Sequence, residues 1–257
     1  MHNNESLAGK HAIITGAGGG IGSAISQQLA DQGLKVSLVG RNMAKLEAVA
    51  DGLKHAQCLV ADVTDEEAVK QALNSARESF GPIDILVNNA GIAKSYPYLK
   101  QTTENWREIM AVNLDGVHFC PHAALPDMLE QGWGRIINIA SIAAQTGAAY
   151  VSAYVAAKHA VLGLTRSLAL EFATKNITVN AVCPGYTDTD IVSTAIDNII
   201  AKTGRSNEEA LHELVKHNPQ KRLIQPEEIA HTVAWLCQPG SAGITGQAIS
   251  VAGGEVM

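Results

Sequence analysis

The feature that most constrains this chain is a glycine-rich turn set between an apolar run and an amphipathic segment. His11–Thr15 reads as a short buried strand, and it passes directly into Thr15-Gly16-Ala17-Gly18-Gly19-Gly20-Ile21-Gly22. Beyond the turn, Ile21, Ile25 and Leu29 fall on one face of a helix predicted over Ile21–Gln32. A strand that turns tightly into a helix presents the backbone N–H groups of the positive helix N-terminus, which donate to bound phosphates. A Walker A loop is excluded because no Lys precedes a Ser or Thr here. The spacing GxGxxG fails from Gly16, since Ile21 stands where its third glycine belongs; GxxxGxG fits through Gly16, Gly20 and Gly22. The turn is therefore read as a dinucleotide pyrophosphate site, with Gly16, Gly18, Gly20, Ile21 and Gly22 against the cofactor.

The same strand-then-helix alternation continues along the chain. Strands are predicted at Lys35–Val39, Ala56–Val60, Ile83–Val87, Gly134–Ala140, Ile177–Val182 and Ala248–Val251. Helices are predicted at Met43–Leu53, Asp65–Ser79, Glu104–Phe119, Ser152–Phe172 and Pro226–Cys237, with Thr64 as the N-cap of the third and Glu67 closing a capping box. Short apolar strands joined by helices make right-handed crossovers and a parallel sheet covered on both faces. The expected architecture is an α/β doubly wound Rossmann fold with about seven strands. No linker interrupts the 257 residues, so a single domain over 1–257 is expected.

Composition narrows the function. The chain is 46% hydrophobic and 17% charged with a net charge of −6, and its basic residues are scattered, which argues against nucleic acid. No apolar stretch reaches the ~20 residues that span a bilayer, and the N-terminus lacks a secretory pattern, so a cytoplasmic protein with no membrane partner is expected. Cys58, Cys120, Cys183 and Cys237 show no CxxC spacing and read as free thiols in a reducing compartment. His118 and His122 are spaced i, i+4, but Pro121 should interrupt their helix and no third ligand lies near, so no metal is expected.

Three further segments carry chemistry. Asn88-Asn89-Ala90-Gly91 follows the fourth strand, Ser141 follows the fifth, and Tyr154 and Lys158 sit at i and i+4 on the next helix. A tyrosine titrates near 10 unperturbed, and an adjacent ammonium should pull it down toward a useful range. Ser141 can then donate to a substrate carbonyl oxygen as charge develops there. At the end of the second strand the sequence is Gly40-Arg41-Asn42, without the carboxylate that would bind an NAD ribose. Arg41 offers a donor fork suited to a 2′-phosphate, which favours NADP(H) while leaving NAD(H) open; the bland alternative is a solvated arginine at a helix start.

Singly these are weak, since a Tyr-xxx-Lys pair occurs often by chance. Together, TGxxxGIG at 15–22, NNAG at 88–91, Asn113, Ser141, YxxxK at 154–158 and Pro184-Gly185 resemble the short-chain dehydrogenase/reductase family, over essentially the whole chain from about residue 7. The resemblance implies that Tyr154 is the general acid in reduction and base in oxidation. It further implies that Lys158 lowers the pKa of Tyr154 and binds the nicotinamide ribose, that Ser141 positions the carbonyl, and that Asn113 holds a relay water. It places Asp62 and Val63 at the adenine, Asn89, Ala90 and Gly91 along the cofactor, and Pro184, Gly185, Thr187 and Thr189 at its carboxamide end. Residues 186–222 would form the substrate lid, and Tyr96, Gln145, Tyr150 and Tyr186 would shape the pocket. Ala157 departs from the family's frequent Ser at that position, without consequence for Lys158.

Asn138–Ser141, Lys158-His159, Ile177–Gly185 and Ile244–Ala248 look like the 3-oxoacyl and polyketide ketoreductase branch. That implies an NADPH-dependent reductase of a β-keto thioester on CoA or acyl carrier protein, assembled as a homotetramer with a buried C-terminal tail ending in Val256-Met257. The alternatives are an NAD-dependent dehydrogenase of a small or cyclic secondary alcohol, and a cofactor-binding sensor without turnover. The Ser–Tyr–Lys set argues against the last.

Overall fold

The computed structural model describes residues 6–256, so Met257 of the expected buried tail lies outside the described residues. The chain alternates β1 (His11–Thr15), α1 (Gly20–Asp31), β2 (Lys35–Gly40), α2 (Met43–Ala50), β3 (Ala56–Val60), α3 (Glu66–Phe80) and β4 (Ile85–Asn88). It continues through α4 (Thr103–Met110), α5 (Gly116–Gln131), β5 (Gly134–Ile139), α6 (Ser152–Phe172), β6 (Ile177–Pro184), α7 (Asp190–Thr203), α8 (Asn207–Val215), α9 (Pro226–Cys237) and β7 (Ala248–Val251). The strands form one seven-stranded sheet in the order β3-β2-β1-β4-β5-β6-β7. Every neighbouring pair is parallel. The doubly wound Rossmann architecture read from the sequence is the one adopted.

Both faces of the sheet are covered, which is why β1, β4, β5 and β6 are buried at every residue. Successive side chains of β1 go to opposite faces. Ala12 and Ile14 join Ile25 and Leu29 of α1 and Ile229 and Val233 of α9 on one side. Ile13 joins Val69 and Leu73 of α3 and Cys120, Ala124 and Met128 of α5 on the other. Each fully buried aliphatic side chain contributes roughly 1.5–3 kcal/mol.

Chain order reverses between β1 and β4, so the crevice beyond their C-terminal ends is where a ligand binds in such sheets. Three local expectations are corrected. Asp65, not Thr64, caps α3: its carboxylate accepts from Glu67 N and Ala68 N, while the Thr64 hydroxyl donates to Asp62 Oδ1 at 2.8 Å. The helix expected to stop at Phe119 instead contains a π turn at Ala111–Asp115 and then runs on to Gln131. Pro121 and Pro126 lie inside α5 without ending it. The expected lid stretch, 186–222, holds both α7 and α8.

Candidate active site

The phosphate turn is built by close packing as much as for a ligand. Gly16 and Gly20 take φ +65 and +54, a region that favours glycine. A Cβ on Gly22 would stand 2.3 Å from the Gly16 carbonyl oxygen, and one on Gly16 would stand 2.8 Å from Ala90 Cα. α1 begins after Gly19 with no side chain capping it, which leaves its first N–H groups for an anion. That is the cradle a pyrophosphate requires.

Thr15 ties this turn to the segment after β4. Its Oγ1 accepts from Asn89 N at 3.0 Å and Ala90 N at 3.1 Å. In return, the Asn89 carboxamide donates to the carbonyls of Thr15 (2.9 Å) and Gly16 (3.0 Å). Thr15 had no role in the sequence reading. Its strand-terminal place before the first glycine was the available signal.

Next to the turn lies a cleft of about 120 Å³ whose walls include Gly16, Gly40, Arg41, Asp62, Val63 and Gly91. The residues expected around the adenine and its ribose therefore meet. Arg41 Nη1 is 3.8 Å from Asp62 Oδ2. Both side chains are substantially exposed, so the guanidinium stands at the mouth of the cleft.

The proton-handling residues converge at the C-terminal end of β5. Lys158 is buried, donates to the Ile139 carbonyl at 2.8 Å, and holds its Nζ 5.7 Å from the centre of the Tyr154 ring. Burial drives the Lys158 ammonium down to about 8. Burial also pushes the Tyr154 phenol above its ordinary value, with Tyr186 and Cys183 adding to the rise and a hydrogen bond with Ser141 opposing it. The sequence led to the expectation of a phenol drawn down by Lys158; in this chain burial outweighs any such effect and the phenol lies above its ordinary value. The ammonium spends one of its three donors on Ile139, and desolvation dominates the phenol. Cys183, unremarked in the sequence beyond being a thiol, is buried at the end of β6, and burial raises it to about 11 while Lys158 draws it down.

Asn113 sits in the π turn, fully buried. Its carboxamide donates to the carbonyls of Ile92 and Ile109, both at 2.9 Å, and accepts from Ile92 N at 3.3 Å. A Cβ on Gly91 would stand 2.9 Å from Asn113 Oδ1 and 3.7 Å from Lys158 Nζ, so the NNAG segment, Asn113 and Lys158 are immediate neighbours. π turns recur at functional sites because they displace one side chain and its backbone from the regular ladder. No residue pattern in 104–119 signalled it.

Residues expected at the substrate pocket divide. Tyr96 N donates to the Tyr150 carbonyl at 2.7 Å, and Tyr150 is exposed at φ +70, an uncommon conformation for a bulky residue. Tyr186 is partly exposed beside Tyr154. Gln145 reaches β7, where its Oε1 accepts from Ser250 Oγ at 2.8 Å. Pro184 ends β6 and Gly185 packs on Ala252, the Thr187 hydroxyl donates to the Gly185 carbonyl, and Thr189 packs its methyl against Gly20. The rings of His118 and His122 are 5.2 Å apart, and no group of three metal-ligating side chains occurs among the described residues. No described helix is long and apolar enough to cross a membrane.

A seven-stranded parallel sheet with an open phosphate turn and a Ser–Tyr–Lys cluster defines a nicotinamide-dependent oxidoreductase. Comparison with known proteins agrees. The family model described as "Enoyl-(Acyl carrier protein) reductase" matches residues 16–255. A 3-oxoacyl-[acyl-carrier-protein] reductase from Vibrio cholerae serotype O1 is 37% identical over 252 residues, covering 98% of this chain and 99% of that protein. The crystal structure of a single-residue variant of actinorhodin polyketide ketoreductase with NADPH superposes with a TM-score of 0.93 at 35% identity, covering 98% of this chain and 99% of that one. A 3-ketoacyl-(acyl-carrier-protein) reductase from Brucella melitensis, complexed with NADH, gives 0.89 at 34% identity, covering 98% and 100%. The chain belongs to the short-chain dehydrogenase/reductase family and is an NAD(P)-dependent oxidoreductase.

Proposed function

We propose that the protein reduces the ketone of a 3-oxoacyl thioester, carried on CoA or acyl carrier protein, to the alcohol, with NADPH as reductant. The observation that carries the reading is the convergence of Ser141, Tyr154 and Lys158 beside Gly91 and Asn113, in a family whose matched members include 3-oxoacyl reductases. The turn after β1 would hold the cofactor's pyrophosphate, and the bound cofactor would supply a hydride to the carbonyl carbon. Ser141 donates a hydrogen bond to the carbonyl oxygen, and the Tyr154 phenol delivers the proton to it. Lys158 sets a positive charge beside the phenolate left behind and would hold the nicotinamide ribose of a bound cofactor. Asn113 fixes the Ile92 backbone, and by family resemblance it would hold the water through which the phenol regains its proton.

The preference for NADPH is supported by Gly40 and Arg41 in the cleft wall, where no carboxylate ends β2. One observation favours the NAD-dependent dehydrogenase as second reading: Asp62, 3.8 Å from Arg41, offsets part of its charge. The chain is read as one domain, 1–257, with residues 186–222 as the lid, working in the cytoplasm as a homotetramer. The test is a panel of β-keto thioesters, simple ketones and secondary alcohols, each assayed with both phosphorylated and unphosphorylated cofactors. Highest kcat/KM on a β-keto thioester with NADPH is the expected result. Turnover confined to secondary alcohols with NAD would replace this reading with the second.

A further inference from the structure

Arg41 has a cationic neighbour that no motif marks. Asn42 caps α2, its Oδ1 accepting from Lys45 N at 3.2 Å, and this puts Lys45 in the first turn, four positions beyond Arg41. Arg41 itself precedes the cap, directly after the end of β2. The Lys45 stem lies against the phosphate turn: a Cβ on Gly18 would stand 3.1 Å from Lys45 Cβ. Its ammonium is 3.8 Å from Asp190 Oδ2. Asp190 is the first residue of α7, and Thr189 before it packs on Gly20. Lys45 thus stands between the adenine side of the cleft and the first turn of the lid.

Two features argue that this lysine serves a ligand. The helix dipole disfavours a cation in the first turn, and α2 carries no acidic residue there to offset it. Local rules broken without an evident structural gain concentrate at functional sites. The pairing with Asp190 is not that gain, because the two side chains are 63% and 97% exposed and such a pair in water contributes almost nothing. The balance of charge points the same way. Asp62 faces Arg41 and Asp190 faces Lys45, so the rim is neutral as it stands. A phosphate monoester brings nearly two negative charges, more than a guanidinium already facing Asp62 can answer alone.

We propose that Lys45 is a second specificity-determining cation for the 2′-phosphate of the cofactor, acting with Arg41. Until that phosphate arrives, Asp190 of the lid helix faces the lysine across the rim. Asp190, the more exposed partner, returns to water when the phosphate takes its place. The inference rests on the NADPH reading above, and its test separates the two.

Equilibrium binding of adenosine 2′,5′-bisphosphate and of 5′-AMP to the full chain, by calorimetry, isolates the extra phosphate without turnover. Lys45→Gln should weaken the bisphosphate about 10-fold and leave 5′-AMP within about 2-fold. Asp190→Asn should tighten the bisphosphate about 3-fold, and should do nothing when Lys45→Gln is already present. Equal loss of both probes, or no loss, in Lys45→Gln overturns the proposal, as does an Asp190→Asn effect that persists without the lysine. If the unmodified protein binds the two probes alike, the NADPH reading falls and takes this inference with it. If it prefers the bisphosphate, and Arg41→Ala but not Lys45→Gln abolishes that preference, only the role of Lys45 falls.

Discussion

Thr15→Val is the sharpest probe of how the site is held together. The two side chains have the same shape, so the change removes a hydroxyl from a buried position without opening a cavity. Thr15 Oγ1 is the acceptor for two backbone N–H groups, those of Asn89 and Ala90 at 3.0 and 3.1 Å. The valine variant leaves both donors facing a methyl group. An unsatisfied buried donor costs about 1–3 kcal/mol, and the partial access of this loop to solvent puts each near the lower end. The sum is about 2–3 kcal/mol, a large share of the roughly 5–15 kcal/mol typical of a folded chain. With a urea m-value of about 3 kcal/mol/M, the unfolding midpoint should fall by nearly 1 M at unchanged slope. Thr15→Ser keeps the acceptor and should lose far less. Because the freed segment carries Asn89, Ala90 and Gly91, cofactor affinity should fall in the valine variant and recover in the serine one. Urea unfolding followed by circular dichroism, with a cofactor titration, makes the measurement. A valine variant within about 0.5 kcal/mol of the parent, binding cofactor normally, would refute the claim that this hydroxyl couples the turn to the strand beside it.

Tyr154→Phe should reduce kcat by at least ~10²-fold while cofactor still binds, read by steady-state kinetics and a separate titration. Arg41→Ala should weaken NADPH about 10- to 100-fold and spare NADH. Gly40→Asp should shift preference toward NADH, at some strain because a Cβ at Gly40 meets Leu46 Cδ2 at 3.2 Å; kcat/KM for each cofactor decides both. Light scattering at micromolar concentration should give the mass of four chains, and a monomer mass would remove the homotetramer.

The fold was legible because a sheet covered on both faces writes itself as short apolar runs, and all seven strands were located to within about two residues. Helix continuity was less legible. Proline usually ends a helix, yet α5 runs through Pro121 and Pro126, because burial of Val117, Cys120, Ala124 and Met128 outweighs the lost backbone bonds. The π turn was invisible, since the displacement of Asn113 depends on contacts with Ile92, distant in sequence. The partner of Gln145 was illegible for a related reason: Ser250 of β7, which donates to its Oε1, lies 105 residues away in sequence. The residue types of the Ser–Tyr–Lys set were legible; their electrostatics were not, because spacing carries no information on desolvation.

Those electrostatics bear on the direction of reaction. Burial raises the Tyr154 phenol and lowers the Lys158 ammonium to about 8, so the two move in ways that each disfavour charge. At pH 7 the phenol keeps its proton and the lysine remains about nine-tenths charged, which is the state that donates a proton in reduction. Oxidation needs the phenolate, scarce until the solution is strongly alkaline. The kcat/KM for reduction should therefore hold level and then fall as pH rises past about 8, where Lys158 loses its charge. Oxidation should still be rising there. Unfolding is separable from this loss by the sign of its pH dependence. Lys158 is depressed from 10.5 to about 8 in the folded chain, so its burial penalises the fold fully below about 8. That penalty is relieved as pH climbs toward 10.5, and this group then adds stability over the same window in which reduction declines. A reduction profile flat to about pH 10, or an oxidation profile that peaks at neutrality, would overturn the assignment of Lys158 as the titrating group and of Tyr154 as the resting proton donor.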